Sequence, residues 1–233
     1  MNRPVCMIIG VGPGNGIAFA NRFSKEGYSV ALCARDVQRV EALSKDISNS
    51  YVFKYDVTEA ECHKKVFNEV KETLGPISVL IYNAGSGDFK NIDETSLESF
   101  QNAWEVNTKG LFLSVKEVVQ DMREQDSGNI VVIGATASWR GAAFTAPFAS
   151  AKAAQRSLAQ SMSKHLGREN IHVSYVIIDG VIGSEKARKR MKDKDDSFFM
   201  KADDIAESVY FLTRQPKSAW TFELDLRPFG EKW

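Results

Sequence analysis

The run Gly10-Val-Gly12-Pro-Gly14-Asn15-Gly16 is the first stretch of this 233-residue chain whose residue types and spacing suggest chemistry. The apolar segment Val5 to Ile9 leads into it, and Ile17-Ala18-Phe19 open a helical pattern behind it. Glycines let a backbone turn tightly and approach a pyrophosphate, whose charge then sits against the free N–H groups and positive dipole of the helix start. A glycine-rich turn alone also marks loops without ligands, but between a first strand and a first helix it favours dinucleotide binding. Asp56 and Asn83 each follow a strand-like run, where a cap or turn former would also be at home. Asn107 is odder, because it sits in a helical stretch although Asn is a mediocre helix former whose side chain competes for backbone bonds.

Positioning such groups requires a scaffold, and the chain alternates short strand-like runs with longer segments of helical period. The strand candidates are Val5 to Ile9, Ser29 to Cys33, Tyr51 to Tyr55, Ile77 to Tyr82, Asn129 to Ile133, His172 to Ile178 and Thr221 to Leu226. Leu111, Val115, Val118, Val119 and Met122 form one helical apolar stripe, and Ala154, Leu158, Met162 and Leu166 form another. Strands alternating with helices imply right-handed βαβ crossovers, and so a mainly parallel sheet with helices on both faces. No internal repeat, low-complexity segment or linker divides the chain, which reads as a single domain, residues 1–233.

Composition narrows the function classes. With 30 Lys and Arg against 30 Asp and Glu the formal charge is zero, which argues against nucleic acid or an anionic membrane as the partner. The apolar run after Met1 is too short for a secretory signal, and no later run is long enough to span a bilayer. Cys6, Cys33 and Cys62 are odd in number and widely spaced, which suits free thiols in a reducing cytoplasm. His63, His165 and His172 have no ligand spacing, so no metal site is expected. The run Lys186 to Lys192, followed by Asp193, Asp195 and Asp196, reads as a solvated helix face or mobile lid ahead of a specific anion site.

Taken with their order, these motifs resemble the short-chain dehydrogenase/reductase family over nearly the whole chain. Gly10-x-x-x-Gly14-x-Gly16 matches its glycine motif, although the Thr usual before it is Ile9 here. Asp56-Val57 matches the pair that contacts adenine, and Asn83-Ala84-Gly85 matches the family's Asn-Ala-Gly turn. Asn107 is similar to the helix asparagine that holds a structural and proton-relay water. The resemblance implies a Rossmann-type doubly wound α/β domain with a seven-stranded sheet. It also implies a cofactor site formed by Gly10, Gly12, Gly14, Asn15, Gly16, Ile17, Arg35, Asp56, Val57, Asn83, Ala84, Gly85, Lys152, Gly180 and Ile182. The acidic position that selects NAD falls on Ala34, and Arg35 beside it suits a 2′-phosphate, so NADP is expected over NAD. Counting on from Gly16 instead reaches Asp36, which reads as the N-cap of the helix that follows.

The catalytic segment departs from the family. Members use a Ser, a Tyr and a Lys four residues after the Tyr; here the segment is Phe148-Ala-Ser-Ala-Lys152, and the Ser position falls on Ala135. The lysine is kept for the nicotinamide ribose, but Phe148 has no proton to give, and losing a positioned general acid costs about 10²- to 10⁴-fold in rate. Ser138 is the candidate substitute, with Thr136, Thr145 and Ser150 nearby. Phe148 then reads as an apolar pocket wall. Asp179-Gly180 replaces the usual Pro-Gly, with Asp179 read as an Asx turn ahead of a group facing the nicotinamide, and Ser184 stands where a Thr commonly contacts the carboxamide. Residues 180–200 would overlie the substrate.

The candidate catalytic set is therefore Asn107, Lys152, Ser138, Phe148 and Ala135. The expected function is a cytoplasmic NADP(H)-dependent oxidoreductase, acting on a small carbonyl, alcohol or imine with a non-standard proton donor. The alternative is a catalytically impaired dinucleotide-binding protein with a sensing, scaffold or regulatory role. A homodimer or homotetramer is implied by the resemblance, with a small-molecule substrate as the other partner.

Overall fold

Successive side chains of each strand point to opposite faces, and here both faces are apolar. In β1 (Val5–Ile9), Val5, Met7 and Ile9 join one core layer while Cys6 and Ile8 join the other. Such two-sided burial is the mark of a parallel sheet covered by helices on both faces. The computed structural model describes residues 3–230; the ends of the expected domain, residues 1–2 and 231–233, lie outside the described residues. The sheet contains β1, β2 (Ser29–Ala34), β3 (Ser50–Lys54), β4 (Ile77–Tyr82), β5 (Gly128–Ile133), β6 (Ile171–Ile178) and β9 (Glu223–Leu226) in the order β3-β2-β1-β4-β5-β6-β9. Every pairing in it is parallel.

One layer is covered by α3 (Ala60–Leu74), α5 (Gly110–Glu124) and α6 (Ala146–Leu166), the other by α1 (Asn15–Lys25), α2 (Val37–Ser44) and α8 (Ala202–Thr213). The stripe on α5 is buried as its period implies. On α6 the line is displaced: Ala151, Lys152, Gln155 and Ala159 are buried, while Leu158 and Met162 only flank the core. The polar Lys152 and Gln155 hide this line from a hydrophobic pattern. A second, small sheet joins β7 (Val181–Ile182) to β8 (Phe199–Met200), strands too short for periodicity to find. β9 begins at Glu223 rather than Thr221, because the Thr221 N–H is taken by the Gln215 side chain at 2.8 Å.

Strand order reverses at β1, which lies between β2 and β4, and the chain leaves β1 and β4 side by side at their C-terminal ends. Such a switch point opens a crevice. Gly10 shapes it: its φ is +87°, and a Cβ there would lie 2.5 Å from the Ala84 backbone nitrogen. Gly10→Ala should therefore lower the urea midpoint, the φ alone costing about 1–3 kcal/mol, with little change in denaturant slope.

Candidate active site

Two cavities meet along the C-terminal edge of the sheet. The first, about 530 Å³, is lined by Gly10, Arg35, Asp56, Val57, Asn83 and Ala84, with Asp36 and Arg39 beside them. The second, about 550 Å³, is lined by Asn15, Ala135, Phe148, Lys152, Gly180 and Ile182 among others. Asn83 and Gly85 belong to both, so the two form one cleft. Gly12, Gly14, Gly16 and Ile17 line neither; they form the turn and the first helical residues of α1.

Local structure places each group. Asp36 caps α2, its carboxylate accepting the Arg39 N–H at 3.1 Å. Asp56 also serves its own turn, accepting the Thr58 N–H at 3.0 Å and hydroxyl at 2.8 Å, while it lines the first cavity. The Asn83 side chain donates to the Gly10 carbonyl at 2.7 Å and ties the ends of β1 and β4. Asn107 lies in a π-helical turn, Glu105–Lys109, between α4 (Leu97–Trp104) and α5. π-bulges often mark functional sites, and this one puts the Asn107 amide in reach of Ala103 O at 2.9 Å and Ser86 O at 3.3 Å.

Lys152 is buried on the α6 face toward β5. Its Nζ donates to Ile133 O and to Gln155 Oε1, both at 3.0 Å. Gln155 in turn donates from Nε2 to the Asn107 carbonyl at 2.6 Å, and its Oε1 also accepts from the Tyr175 hydroxyl at 3.3 Å. With no carboxylate to balance it, burial lowers the Lys152 pKa to about 7. Gln155 is absent from the residues singled out by motif; its only sequence signal is its place beside Lys152 on the buried line of α6. Asn15 Oδ1 and Asn107 Oδ1 are buried without a partner. Such groups cost about 1–3 kcal/mol each, a cost tolerated where a ligand supplies the donor. Asn15 lines the second cavity, so its orphan, with the open space around Gly12 where a Cβ would meet nothing within 4 Å, fits a bound dinucleotide; Asn107 lines neither cavity.

The hydroxyls around the second cavity are committed elsewhere. Ser138 Oγ donates to Ala135 O at 2.7 Å, and Ser138 does not line the cavity. Thr145 donates to Ala142 O at 3.0 Å, and Ser150 to Pro147 O at 3.0 Å. Thr136 lines the cavity, but its hydroxyl donates to Asp179. Asp179 is thus neither the expected Asx turn nor a group facing the cavity: it is buried, accepts from Thr136 and pairs with Arg227 at 3.2 Å. Phe148 stands against Phe89 with ring centroids 5.3 Å apart, an apolar wall where Ala135 adds only a methyl group.

Beyond Gly180 and Ile182, Ser184 caps α7 (Glu185–Arg190), accepting the Ala187 N–H at 3.2 Å, and does not line the cavity. The basic run is an exposed helix face tied locally: Lys189 pairs with Glu185 at 2.5 Å, and Arg188 pairs with Asp196 and lies over the Phe199 ring. Phe89, Arg39 and Arg140 also line the cleft. No spacing or period singles them out: loops bring Phe89 and Arg140 there, and the first turn of α2 brings Arg39. Among the described residues no cluster of side chains could hold a metal ion, and no helix is long and apolar enough to cross a membrane.

A sequence model of short chain dehydrogenases matches residues 4–195. An uncharacterized oxidoreductase of Staphylococcus saprophyticus is 26% identical over 235 residues, covering 96% of this chain and 97% of that protein. The crystal structure of a short-chain dehydrogenase from Rhodopseudomonas palustris is 31% identical with a TM-score of 0.85, covering 97% of this chain and 99% of that one. The X-ray structure of an alcohol dehydrogenase from the archaeon Thermococcus sibiricus, complexed with 5-hydroxy-NADP, is 26% identical with a TM-score of 0.87 and covers 99% of both chains.

The buried Lys152 also links stability to pH. The unfolded chain holds the Lys152 proton up to about pH 10.5, whereas the folded protein releases it at about 7. Between these values the unfolded state binds more protons, so this group makes stability rise with pH, by at most about 1.4 kcal/mol per unit. Urea unfolding of the ligand-free protein from pH 7 to 9 should show this rise, and Lys152→Met should flatten it. Equal pH dependence in the two proteins would contradict the burial of the ammonium.

Proposed function

The chain belongs to the short-chain dehydrogenase family, and from that premise we propose that it is an NADP(H)-dependent oxidoreductase whose substrate is a small, largely apolar carbonyl, alcohol or imine compound. The observation that carries this reading is the continuous cleft with Lys152 and the orphaned Asn15 oxygen in its wall and two arginines at its far end. Arg35 and Arg39 both line the first cavity, and neither guanidinium has an ion-pair partner among the described residues, so together they suit a 2′-phosphate. The Thermococcus enzyme crystallised with an NADP derivative supports the same choice. The Gly10 to Gly16 turn and the α1 N-terminus would hold the diphosphate, Asp56 and Val57 the adenine, and Asn83 to Gly85 the adjoining ribose. Lys152 keeps a third proton for the nicotinamide ribose, and Gly180 and Ile182 would face the ring. When bound, the cofactor supplies or accepts a hydride.

Proton handling is where this chain differs. Phe148 and Ala135 bring no hydroxyl, and Ser138 is turned to its own backbone, so its direct role weakens. Lys152 is the group in the cavity wall that titrates near neutrality, and in this reading it holds the proton for the substrate oxygen or nitrogen and regains it from water. The alternative, a protein that binds the dinucleotide to sense or scaffold without turnover, is favoured by the loss of both hydroxyls together. The chain is read as one unit with residues 180–200 over the substrate cavity. Exposed Phe100, Trp104 and Phe112 along α4 and α5 support a homodimer or homotetramer, and three free cysteines suit a reducing cytoplasm.

Calorimetry should find NADPH binding more tightly than NADH, and Arg35→Ser should weaken NADPH about 10- to 100-fold, the value of a charge-assisted contact, with NADH little changed. Absence of binding to either dinucleotide would overturn both readings. NADPH oxidation with a carbonyl and imine panel separates them: turnover that declines as pH rises through about 7, as Lys152 loses its proton, supports the enzyme. Binding without turnover supports the sensor. Phe148→Tyr with Ala135→Ser should add ordinary carbonyl reduction, by about 10²-fold or more.

A further inference from the structure

Charge around the second cavity is unbalanced. Its walls are largely apolar, with Phe89, Ala135, Phe148 and Ile182 among them, and two cationic side chains reach it, Lys152 and Arg140. Lys152 is engaged by Ile133 and Gln155. The carboxylate nearest in sequence to the wall residues Ile178 and Gly180, Asp179, is committed to Thr136 and Arg227. The Arg140 guanidinium has no ion pair, hydrogen bond or ring contact among the described residues, although its backbone is held by the Thr136 carbonyl at 3.3 Å. It stands exposed on the loop between the 3₁₀ turn Thr136–Ser138 and α6, on the rim of the cavity.

A planar guanidinium with no partner, on the rim of an apolar cavity, matches the geometry by which Arg takes a carboxylate through two parallel hydrogen bonds. We propose that Arg140 is the substrate's anchor and that the substrate is a carboxylate-bearing carbonyl or imine compound, its apolar body against Phe89 and Phe148. Arg140 is the one guanidinium among the described residues lining this cavity, and a single planar fork matches the two oxygens of one carboxylate. The cavity, about 550 Å³, is within the usual size of small-molecule sites. The proposal rests on the reading of this cavity as the substrate site and goes beyond it in naming the substrate's charge.

Binding tests it without requiring turnover. The intact protein, alone and with NADP⁺, is titrated with 2-oxo-4-phenylbutanoate, 2-oxohexanoate and 3-phenylpropanoate, and with the methyl ester of each. Calorimetry is read alongside the intrinsic tryptophan fluorescence, to which Trp139, the residue next to Arg140, contributes. The acids should bind at least about tenfold more tightly than their esters, a charge-assisted contact being worth about 1.5–3 kcal/mol. Arg140→Gln should abolish that preference and leave the esters unchanged, Arg140→Lys should restore part of it, and NADPH affinity should be the same in all three proteins. Absence of an acid-over-ester preference for every pair, including failure of all the probes to bind, overturns the proposal, as does an undiminished preference in Arg140→Gln. Acid preference without any dinucleotide binding would keep Arg140 as an anion anchor and overturn the oxidoreductase reading instead.

Discussion

The bridge from Lys152 through Gln155 to the Asn107 carbonyl is the contact on which the site depends. A buried ammonium without a carboxylate partner is expensive, and hydrogen bonds to neutral oxygens are what make it tolerable. Ile133 and Gln155 supply two of them, and Gln155 spends its other end on the π-helical turn. The Lys152–Gln155 pair therefore joins α6 to β5 through Lys152 and to the bend between α4 and α5 through Gln155, and the contact of Gln155 with Tyr175 adds β6. Gly85 lies over this bridge: a Cβ there would sit 3.4 Å from Asn107 Oδ1 and 3.8 Å from Lys152 Nζ.

That bridge also bears on the chemistry. The family resemblance implies a relay water held at Asn107, whereas here the Asn107 carbonyl is bonded directly by Gln155. Three changes in proton handling thus coincide: no hydroxyl at 148, none at 135, and an amide side chain at the Asn107 carbonyl. At the proposed cofactor end of the cleft the glycine turn, the Asn83 tie to Gly10 and the Lys152 ammonium match what the resemblance implies.

Legibility in the sequence followed the range of the interaction. The inner strands of the large sheet are readable because they are short, two-sided apolar runs bounded by turn residues, the edge strands β3 and β9 because apolar and polar residues mix in short runs, and the Asp36 cap because a cap is a contact three residues long. The role of the Asp179 carboxylate is not legible in local sequence because its partners, Thr136 and Arg227, lie far away in the chain. Gln155 was passed over because polarity on a helix suggests solvent, while only the packing of α6 against β5 and β6 reveals that it is buried.

By itself the sequence determined the alternating α/β layout, the glycine turn at the first strand end, the arginine that follows β2, and the absence of hydroxyls at positions 135 and 148. Those are properties of residue type and local order, which need no partner from elsewhere in the chain. The tertiary structure alone decided which groups are spent and which are free. Hydroxyls at 136, 138, 145 and 150 are all engaged, Lys152 is desolvated, and Arg140 is left without a partner among the described residues on the rim of an apolar cavity. The physical reason is that hydrogen bonding and desolvation depend on what surrounds an atom in space, and crossovers between parallel strands bring together residues that the chain holds far apart.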